Sequence, residues 1–118
     1  MLRLAVVGLG KMGISHLSMI NAHPDVSVVG ICDSTGYVLD VMEKYTGLKA
    51  FSDYERMLGE VGPDAVLLAT PSKFHGNMVR KALDRGIHVF CEKPFTLSGR
   101  ESVELAALAR SRRLVGQV

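Results

Sequence analysis

The sequence predicts an α/β fold: a doubly wound parallel sheet of six strands in the order 3-2-1-4-5-6, covered on both faces by helices to give three layers. Three observations lead to this prediction. Short apolar runs alternate with amphipathic segments along the whole chain, which indicates strands joined by helical crossovers. Apolar residues make up 47% of the 118 residues, as a sheet buried on both faces requires. A glycine-rich turn, residues 8–13, joins the first apolar run to the first amphipathic segment.

The first half of the chain contains three strand–helix units. Their strands are predicted at residues 2–7, 27–32 and 49–51, and their helices at residues 11–21, at residues 36–45 and around Met57 and Leu58. His23-Pro24-Asp25 ends the first helix, because the residue before a proline is pushed out of helical space. Ser52 or Asp53 is expected to cap the third helix.

The second half adds three strands and two helices. The strands are predicted at residues 64–69, 87–91 and 114–118, and the helices at residues 74–84 and from a cap at Thr96 or Ser98 to about residue 113. The run at 64–69 is almost entirely apolar, as expected for a buried parallel strand. Gly62-Pro63 and Gly86 mark the ends of the preceding elements.

The turn after the first strand has the spacing Gly8-x-Gly10-x-x-Gly13, in which each glycine has a separate task. Gly8 allows a sharp turn, Gly10 leaves room for a pyrophosphate, and Gly13 lets the following helix pack closely on the sheet. The start of that helix, with Lys11 and Met12, offers unpaired N–H groups and a partial positive charge to phosphates. The pattern therefore predicts a Rossmann-type dinucleotide site.

An acidic residue stands at the expected distance from this turn. Asp33 follows the second strand, twenty residues after Gly13, where it can accept hydrogen bonds from the adenosine ribose hydroxyls. Its carboxylate would repel the 2′-phosphate of NADP, so NAD is the expected cofactor. Ser34 and Thr35 leave NADP open, because small hydroxyl residues accept a phosphate and no Arg follows them.

Charge and hydropathy exclude several classes of function. The net charge of +2 is too small, and the basic residues too scattered, for a nucleic-acid or anionic-membrane partner. The cluster Arg110-Ser111-Arg112-Arg113 complements the negative end of a predicted helix. No apolar run approaches the ~20 residues of a membrane span. No pair of His or Cys has metal-ligand spacing, so no metal is expected.

The two cysteines are expected to be free thiols. Cys32 and Cys91 end strands that lie three places apart in the predicted sheet, which separates them by about 14 Å at the usual ~4.8 Å spacing. A disulfide requires Cα atoms within about 7 Å. Free thiols, and an N-terminus without the pattern of a signal peptide, predict a cytoplasmic location.

Two further motifs follow strands at the carboxyl edge of the sheet, where open α/β sheets bind ligands. In Cys91-Glu92-Lys93-Pro94, Lys93 can donate to a substrate oxygen and move a proton, although a solvated lysine in a proline-bounded loop has the same pattern. In the segment 70–75, the hydroxyls of Thr70 and Ser72 can hydrogen-bond a cofactor, and Pro71 shapes the loop.

Two histidines are placed near this edge. His75 is expected either to face the nicotinamide side of a cofactor or to be a helix cap or surface group. His16 lies on the first helix facing the sheet, where core packing is the expected role.

Three ordered motifs together resemble a known family. Gly8-Leu9-Gly10-Lys11-Met12-Gly13-Ile14-Ser15-His16, Thr70-Pro71-x-x-x-His75 and Glu92-Lys93-Pro94 look like the glucose–fructose oxidoreductase/myo-inositol dehydrogenase family (Gfo/Idh/MocA). The resemblance covers essentially the whole chain, and Val115-Gly116-Gln117-Val118 is similar to the sixth strand, which leads into a second domain in that family.

The resemblance implies an enzyme that oxidises a sugar, cyclitol or related polyol hydroxyl, or reduces the ketone, with NAD or NADP. It implies that Lys93 contacts the reacting hydroxyl, that Glu92 helps hold the nicotinamide ribose side, and that the Lys93–Pro94 peptide is often cis. The other catalytic residues of the family, typically an Asp and a His in the second domain, have no counterpart in these 118 residues. Family members usually form homo-oligomers through that domain.

Residues 1–118 are therefore expected to be the dinucleotide-binding domain of a longer two-domain dehydrogenase, binding cofactor but inactive alone. A non-catalytic NAD-binding sensor or regulatory module is the first alternative, and it has no use for the Lys93-Pro94 pair. A methyltransferase-type nucleotide fold is a second alternative, but it usually needs only the first two glycines. The polyol or sugar substrate would be held by the second domain.

Overall fold

The computed structural model describes all residues from 1 to 118 and has the predicted parallel sheet, in the order β3-β2-β1-β4-β5-β6. The strands are β1 (Leu2–Val7), β2 (Val26–Cys32), β3 (Ala50–Phe51), β4 (Ala65–Leu68), β5 (His88–Cys91) and β6 (Gly116–Gln117). The helices are α1 (Lys11–Asn21), α2 (Gly36–Thr46), α3 (Tyr54–Val61), α4 (His75–Asp84) and α5 (Gly99–Ser111). None of these helices is both long and apolar enough to cross a membrane.

Helices cover both faces of the sheet, which confirms the three layers. Along β1, Ala5 and Val7 belong to one apolar core, packed beneath α3, α4 and α5. Leu4 and Val6 point the other way, into a second core with α1 and α2. Successive side chains of a strand alternate between faces, so a strand buried on both faces is apolar throughout. This burial explains why the sequence of β1 is a continuous apolar run.

The strand register brings four loops to one edge of the sheet. Four strands end at the same level, at Val7, Cys32, Leu68 and Cys91. The loops that follow begin at Gly8, Asp33, Ala69 and Glu92. Neighbouring strands lie about 4.8 Å apart, so these loops form a row at the carboxyl edge in the order β2, β1, β4, β5. The predicted cofactor residues come almost entirely from this row.

The structure also decides which residues cap two of the helices. Asp53, rather than Ser52, caps α3, because its carboxylate accepts the Arg56 N–H at 2.9 Å. Ser98 caps α5 by accepting the Glu101 N–H at 3.3 Å.

Several element boundaries differ slightly from the predicted ones. The fourth helix begins at His75, because residues 72–74 form a 3-10 turn after Pro71. The fifth strand begins at His88 instead of residue 87, and β6 is shorter than predicted. These shifts leave the positions of the loops at the carboxyl edge unchanged.

Both cysteines are free, as predicted, and both are buried. Cys32 ends β2 and Cys91 ends β5, with β1 and β4 between them. Burial is the main cause that raises the pKa of the Cys32 thiol to about 11 and that of Cys91 to about 12. Because the thiolate is the reactive form, neither residue is an activated nucleophile at neutral pH.

The glycine turn brings segments of backbone into close contact. Gly8 has a φ of +92°, and a Cβ on it would lie 2.6 Å from the carbonyl carbon of Ala69. A Cβ on Gly13 would overlap the carbonyl oxygen of Gly8. Gly13 therefore holds the first turn of α1 against the end of β1. In contrast, a Cβ on Gly10 would meet no other atom within 4 Å.

We expect Gly13→Ala to lower the free energy of unfolding by more than about 3 kcal/mol, because the added methyl forces α1 away from β1. Urea unfolding of the 118-residue chain measures this difference. Gly10→Ala is the matched control, and its free energy of unfolding should stay within about 0.5 kcal/mol of wild type. Equal stabilities of the two variants would show that the close contact between α1 and the end of β1 does not stabilise the fold.

Candidate functional site

A cleft of about 740 Å³ opens over the carboxyl ends of β1, β2 and β4. Seven of the predicted cofactor residues line it: Gly8, Gly10, Lys11, Met12, Asp33, Thr70 and Pro71. The other five do not line it: Gly13, Ser72, His75, Glu92 and Lys93. The predicted set thus divides between the wall of the cleft and the residues beside or behind it.

The start of α1 is the part of the cleft suited to an anion. Gly10 is the N-cap residue and has no side chain to accept the first helical N–H groups. No acidic residue lies in the first turn, whereas α3 and α5 each have an acidic residue and a capping side chain there. The first N–H groups of α1 consequently keep their hydrogen-bonding capacity and the positive end of the helix dipole. Room above Gly10 leaves these groups accessible from the cleft.

Asp33 ties the end of β2 to the glycine turn. Its Oδ2 accepts the Leu9 N–H at 2.6 Å, and its Oδ1 accepts the Thr35 N–H at 2.8 Å. Each carboxylate oxygen has a further lone pair, so the group retains acceptor capacity toward a diol in the cleft. The two backbone hydrogen bonds fix the orientation of the carboxylate and therefore the direction of its remaining lone pairs.

The opposite wall contains residues that the sequence did not assign to the cofactor site. Ser52 and Tyr54 follow β3, and Phe74 and Met78 follow β4; all four line the cleft. The Tyr54 hydroxyl donates to the Met78 carbonyl at 2.8 Å, which joins α3 to α4 across this wall. The signal that would have found Ser52 is its position directly after β3, at the same edge as Asp33.

His75 is not a surface group and does not line the cleft. Its side chain is buried, with the residue only 1% exposed. Nδ1 lies 2.7 Å from the Pro94 carbonyl oxygen, and Nε2 lies 2.8 Å from the Thr70 carbonyl oxygen. Both ring nitrogens are hydrogen-bonded to backbone carbonyls. The imidazole therefore acts on the cleft only by holding the loops after β4 and β5.

His16 also differs from the predicted core packing. Its Nε2 hydrogen-bonds Glu92 Oε1 at 2.6 Å, and its ring packs against the Phe90 ring in a T-shaped arrangement with the centroids 5.5 Å apart. The bond joins α1 to the loop after β5. The hydrogen bond from His16 is the largest cause that lowers the pKa of the Glu92 carboxyl below its ordinary value of 4.5. Glu92 is therefore held as a carboxylate beside Lys93 at neutral pH.

Lys93 is exposed and takes part in no salt bridge, so its ammonium group is available at the carboxyl edge. The Lys93–Pro94 peptide is cis, as the resemblance implied. No group of three or more His, Cys, Asp or Glu side chains is arranged to hold a metal ion.

Comparison with known sequences decides the family. Residues 2–118 match an oxidoreductase family with an NAD-binding Rossmann fold, Gfo/Idh/MocA. The chain belongs to this family. It is an NAD-binding Rossmann domain, and the methyltransferase-type interpretation is wrong because the match covers almost every residue.

Individual relatives agree with this assignment. D-glucoside 3-dehydrogenase of Escherichia coli is 33% identical, over 92% of this chain and 32% of its own length. The scyllo-inositol 2-dehydrogenase (NAD(+)) of Bacillus subtilis is 33% identical, over 98% of this chain and 34% of its own. The crystal structure of scyllo-inositol dehydrogenase from Lactobacillus casei, with bound NAD(H) and scyllo-inositol, superimposes with a TM-score of 0.91 at 28% identity, covering 98% of this chain and 35% of that one. The chain spans about a third of the length of these relatives.

The His16–Glu92 pair predicts a specific pH dependence. His16→Ala removes the hydrogen bond that stabilises the Glu92 carboxylate, so the pKa of Glu92 should rise toward its ordinary value. Because the wild-type pKa is lowered on folding, the pair stabilises the fold above the ordinary pKa, and this stability is lost as the pH falls through the lowered one. A ¹³C-NMR titration of the Glu92 carboxyl measures the shift.

His23→Ala is the matched control, since His23 contacts no carboxylate: its Nδ1 accepts the Asp25 N–H. The Glu92 titration should be unchanged in this variant. An unchanged Glu92 pKa in His16→Ala would show that the pair has no electrostatic effect.

Proposed function

We propose that this chain is the cofactor domain of an NAD-dependent dehydrogenase that interconverts a hydroxyl of a sugar, cyclitol or related polyol and its ketone. The observation that carries the proposal is the order of groups along the carboxyl edge. Asp33 follows β2, the uncapped start of α1 follows β1, Thr70 follows β4, and Lys93 follows β5. That order matches an adenosine ribose, a pyrophosphate and a nicotinamide laid across the edge, with substrate beyond.

The residues of the cleft fit such a cofactor. The open space above Gly10 would receive the pyrophosphate, on the free N–H groups of Lys11 and Met12. The spare lone pairs of the Asp33 carboxylate would accept the two adenosine ribose hydroxyls. Thr70 and Pro71 would form the wall beneath the nicotinamide half.

Lys93 is assigned the proton chemistry. NAD, when bound, accepts the hydride of the oxidised carbon at nicotinamide C4. Lys93, which has no competing salt bridge, would hydrogen-bond the substrate oxygen. As the ammonium it would give its proton to the ketone oxygen when the ketone is reduced, and as the neutral amine it would take the proton of the hydroxyl when the hydroxyl is oxidised. Glu92, held as a carboxylate by His16, would bind the nicotinamide ribose side and keep negative charge beside the ammonium group.

We assign residues 1–118 to one domain and the substrate site to a second. The relatives that support the proposal are about three times longer than this chain. Hydride transfer requires a substrate held at near-attack distance, and the cleft described here would be filled by the cofactor itself. The 118 residues should therefore bind NAD without turning over a polyol. No observation favours the sensor or regulatory interpretation.

NAD is expected to be preferred to NADP because the Asp33 carboxylate would repel a 2′-phosphate. Asp33→Asn keeps one amide oxygen as an acceptor but removes the charge, so it should raise NADPH affinity about tenfold and lower NADH affinity. Calorimetric titration of both cofactors checks this. Asp40→Asn is the control, because Asp40 is an exposed carboxylate on α2 outside the cleft. Equal NADPH affinity in Asp33→Asn and wild type would refute the role of the charge.

In the complete two-domain enzyme, Lys93→Ala should lower kcat by about 10²–10⁴-fold, because a positioned proton-transfer group is lost. NADH affinity should change only a few-fold, since the assigned contact is to the substrate. Lys81→Ala is the matched control: Lys81 lies on α4 and pairs with Glu55, away from the cleft. Wild-type turnover of Lys93→Ala, or polyol oxidation by the 118-residue chain alone, would overturn the assignment.

A further inference from the structure

His75 has a bonding pattern that neither core packing nor cofactor contact explains. A carbonyl oxygen only accepts hydrogen bonds, and both ring nitrogens face one: Pro94 at 2.7 Å and Thr70 at 2.8 Å. A neutral imidazole has a single N–H and holds one carbonyl at a time. Both loops are bonded together only when each nitrogen carries a proton. The residue is 1% exposed, so water does not substitute for either partner.

A carboxylate of α5 lies close to the start of α4, where the ring is held. His75 is the first residue of α4, and Gly76 follows it in the buried first turn. A Cβ on Gly76 would overlap the Glu101 carboxylate of α5, so this carboxylate lies directly on the start of α4. Glycine at residue 76 is what allows the carboxylate to approach.

The two carbonyls belong to different halves of the site. Thr70 lies in the loop after β4, which lines the cleft. Pro94 lies in the loop after β5, directly next to Lys93 and outside the cleft wall. β4 and β5 are neighbours in the sheet, but their backbone ladder ends at Leu68 and Cys91, followed by the bond from the Glu92 N–H to the Leu68 carbonyl. Beyond that bond, His75 is the side chain that joins the two loops.

We propose that His75 is a positioning residue that fixes the Lys93–Pro94 loop relative to the cofactor cleft, through its Nδ1 hydrogen bond to the Pro94 carbonyl. The inference rests on the proposed function, because it requires the nicotinamide half of the cofactor to lie against this loop. Loss of the bond should therefore weaken binding of the nicotinamide half and leave the adenosine and pyrophosphate half unaffected.

Two conservative variants separate the two bonds. The amide nitrogen of Asn occupies the position of Nδ1, so His75→Asn keeps a donor for Pro94 and loses the bond to Thr70. The amide nitrogen of Gln reaches the position of Nε2, so His75→Gln keeps the bond to Thr70 and loses Pro94. The control is Val79→Ala, one turn further along α4, which removes buried apolar contacts and no hydrogen bond to either loop.

The experiment compares the affinities of the 118-residue chain for NADH and for ADP, which lacks the nicotinamide riboside, by calorimetry. His75→Gln should lower NADH affinity about tenfold, as expected for one lost hydrogen bond, with ADP affinity unchanged. His75→Asn and Val79→Ala should keep the wild-type ratio of the two affinities, even where thermal unfolding shows a lower melting temperature. A merely structural role would lower both affinities together.

Each other outcome is decisive. An unchanged ratio in His75→Gln, or equal changes in the Gln and Asn variants, overturns the positioning role. A wild-type chain that binds neither ligand overturns the proposed function instead. If neither variant folds, ¹⁵N NMR of the wild-type ring decides: a proton on Nδ1 protected from exchange supports the proposal, and a proton on Nε2 alone overturns it.

Discussion

The close approach of α1 to the end of β1 is the constraint on which the rest of the cleft depends. Gly13 lies against the carbonyl of Gly8, and Gly8 in turn lies against the backbone of Ala69 and Thr70. Three segments of main chain therefore meet with no side chain between them. This contact aims the first turn of α1 at the carboxyl edge, where its N–H groups have no capping side chain. A bulkier residue at either position would move the helix, and the anion-binding groups would move with it.

The sheet sets how far apart the loops lie, but hydrogen bonds from side chains set how they are oriented. Asp33 joins the loop after β2 to the glycine turn through the Leu9 N–H. His16 joins α1 to Glu92 in the loop after β5, and His75 joins that loop to the one after β4. Each loop of the edge is thus bonded to another by a part-buried polar group, and each such group is largely satisfied. These links fix the loops of the cleft relative to one another.

The parts that sequence predicted are those that depend on local pattern. The strand order, the three layers, the glycine turn and Asp33 all follow from apolar runs and short spacings, and the structure has them in place. The hydrogen-bond partners of His16 and His75 do not follow from local pattern. His16 and Glu92 are 76 residues apart, and their bond exists only because β1 and β4 place α1 beside β5. His75 has the local pattern of a helix start, and its actual partners became visible only when two loops were placed side by side.

The charged groups along the carboxyl edge are also placed by the order of the strands. Asp33 and Glu92 are the two carboxylates that begin loops, and they stand after β2 and β5, at opposite ends of the row. Between them lies the start of α1, where no acidic residue offsets the partial positive charge of the helix. A dinucleotide has its anionic pyrophosphate in the middle and neutral ribose hydroxyls on either side, so this arrangement of charge matches it without a dedicated phosphate-binding arginine. The parallel sheet makes the match possible, because successive carboxyl ends place each group one strand spacing further along the ligand.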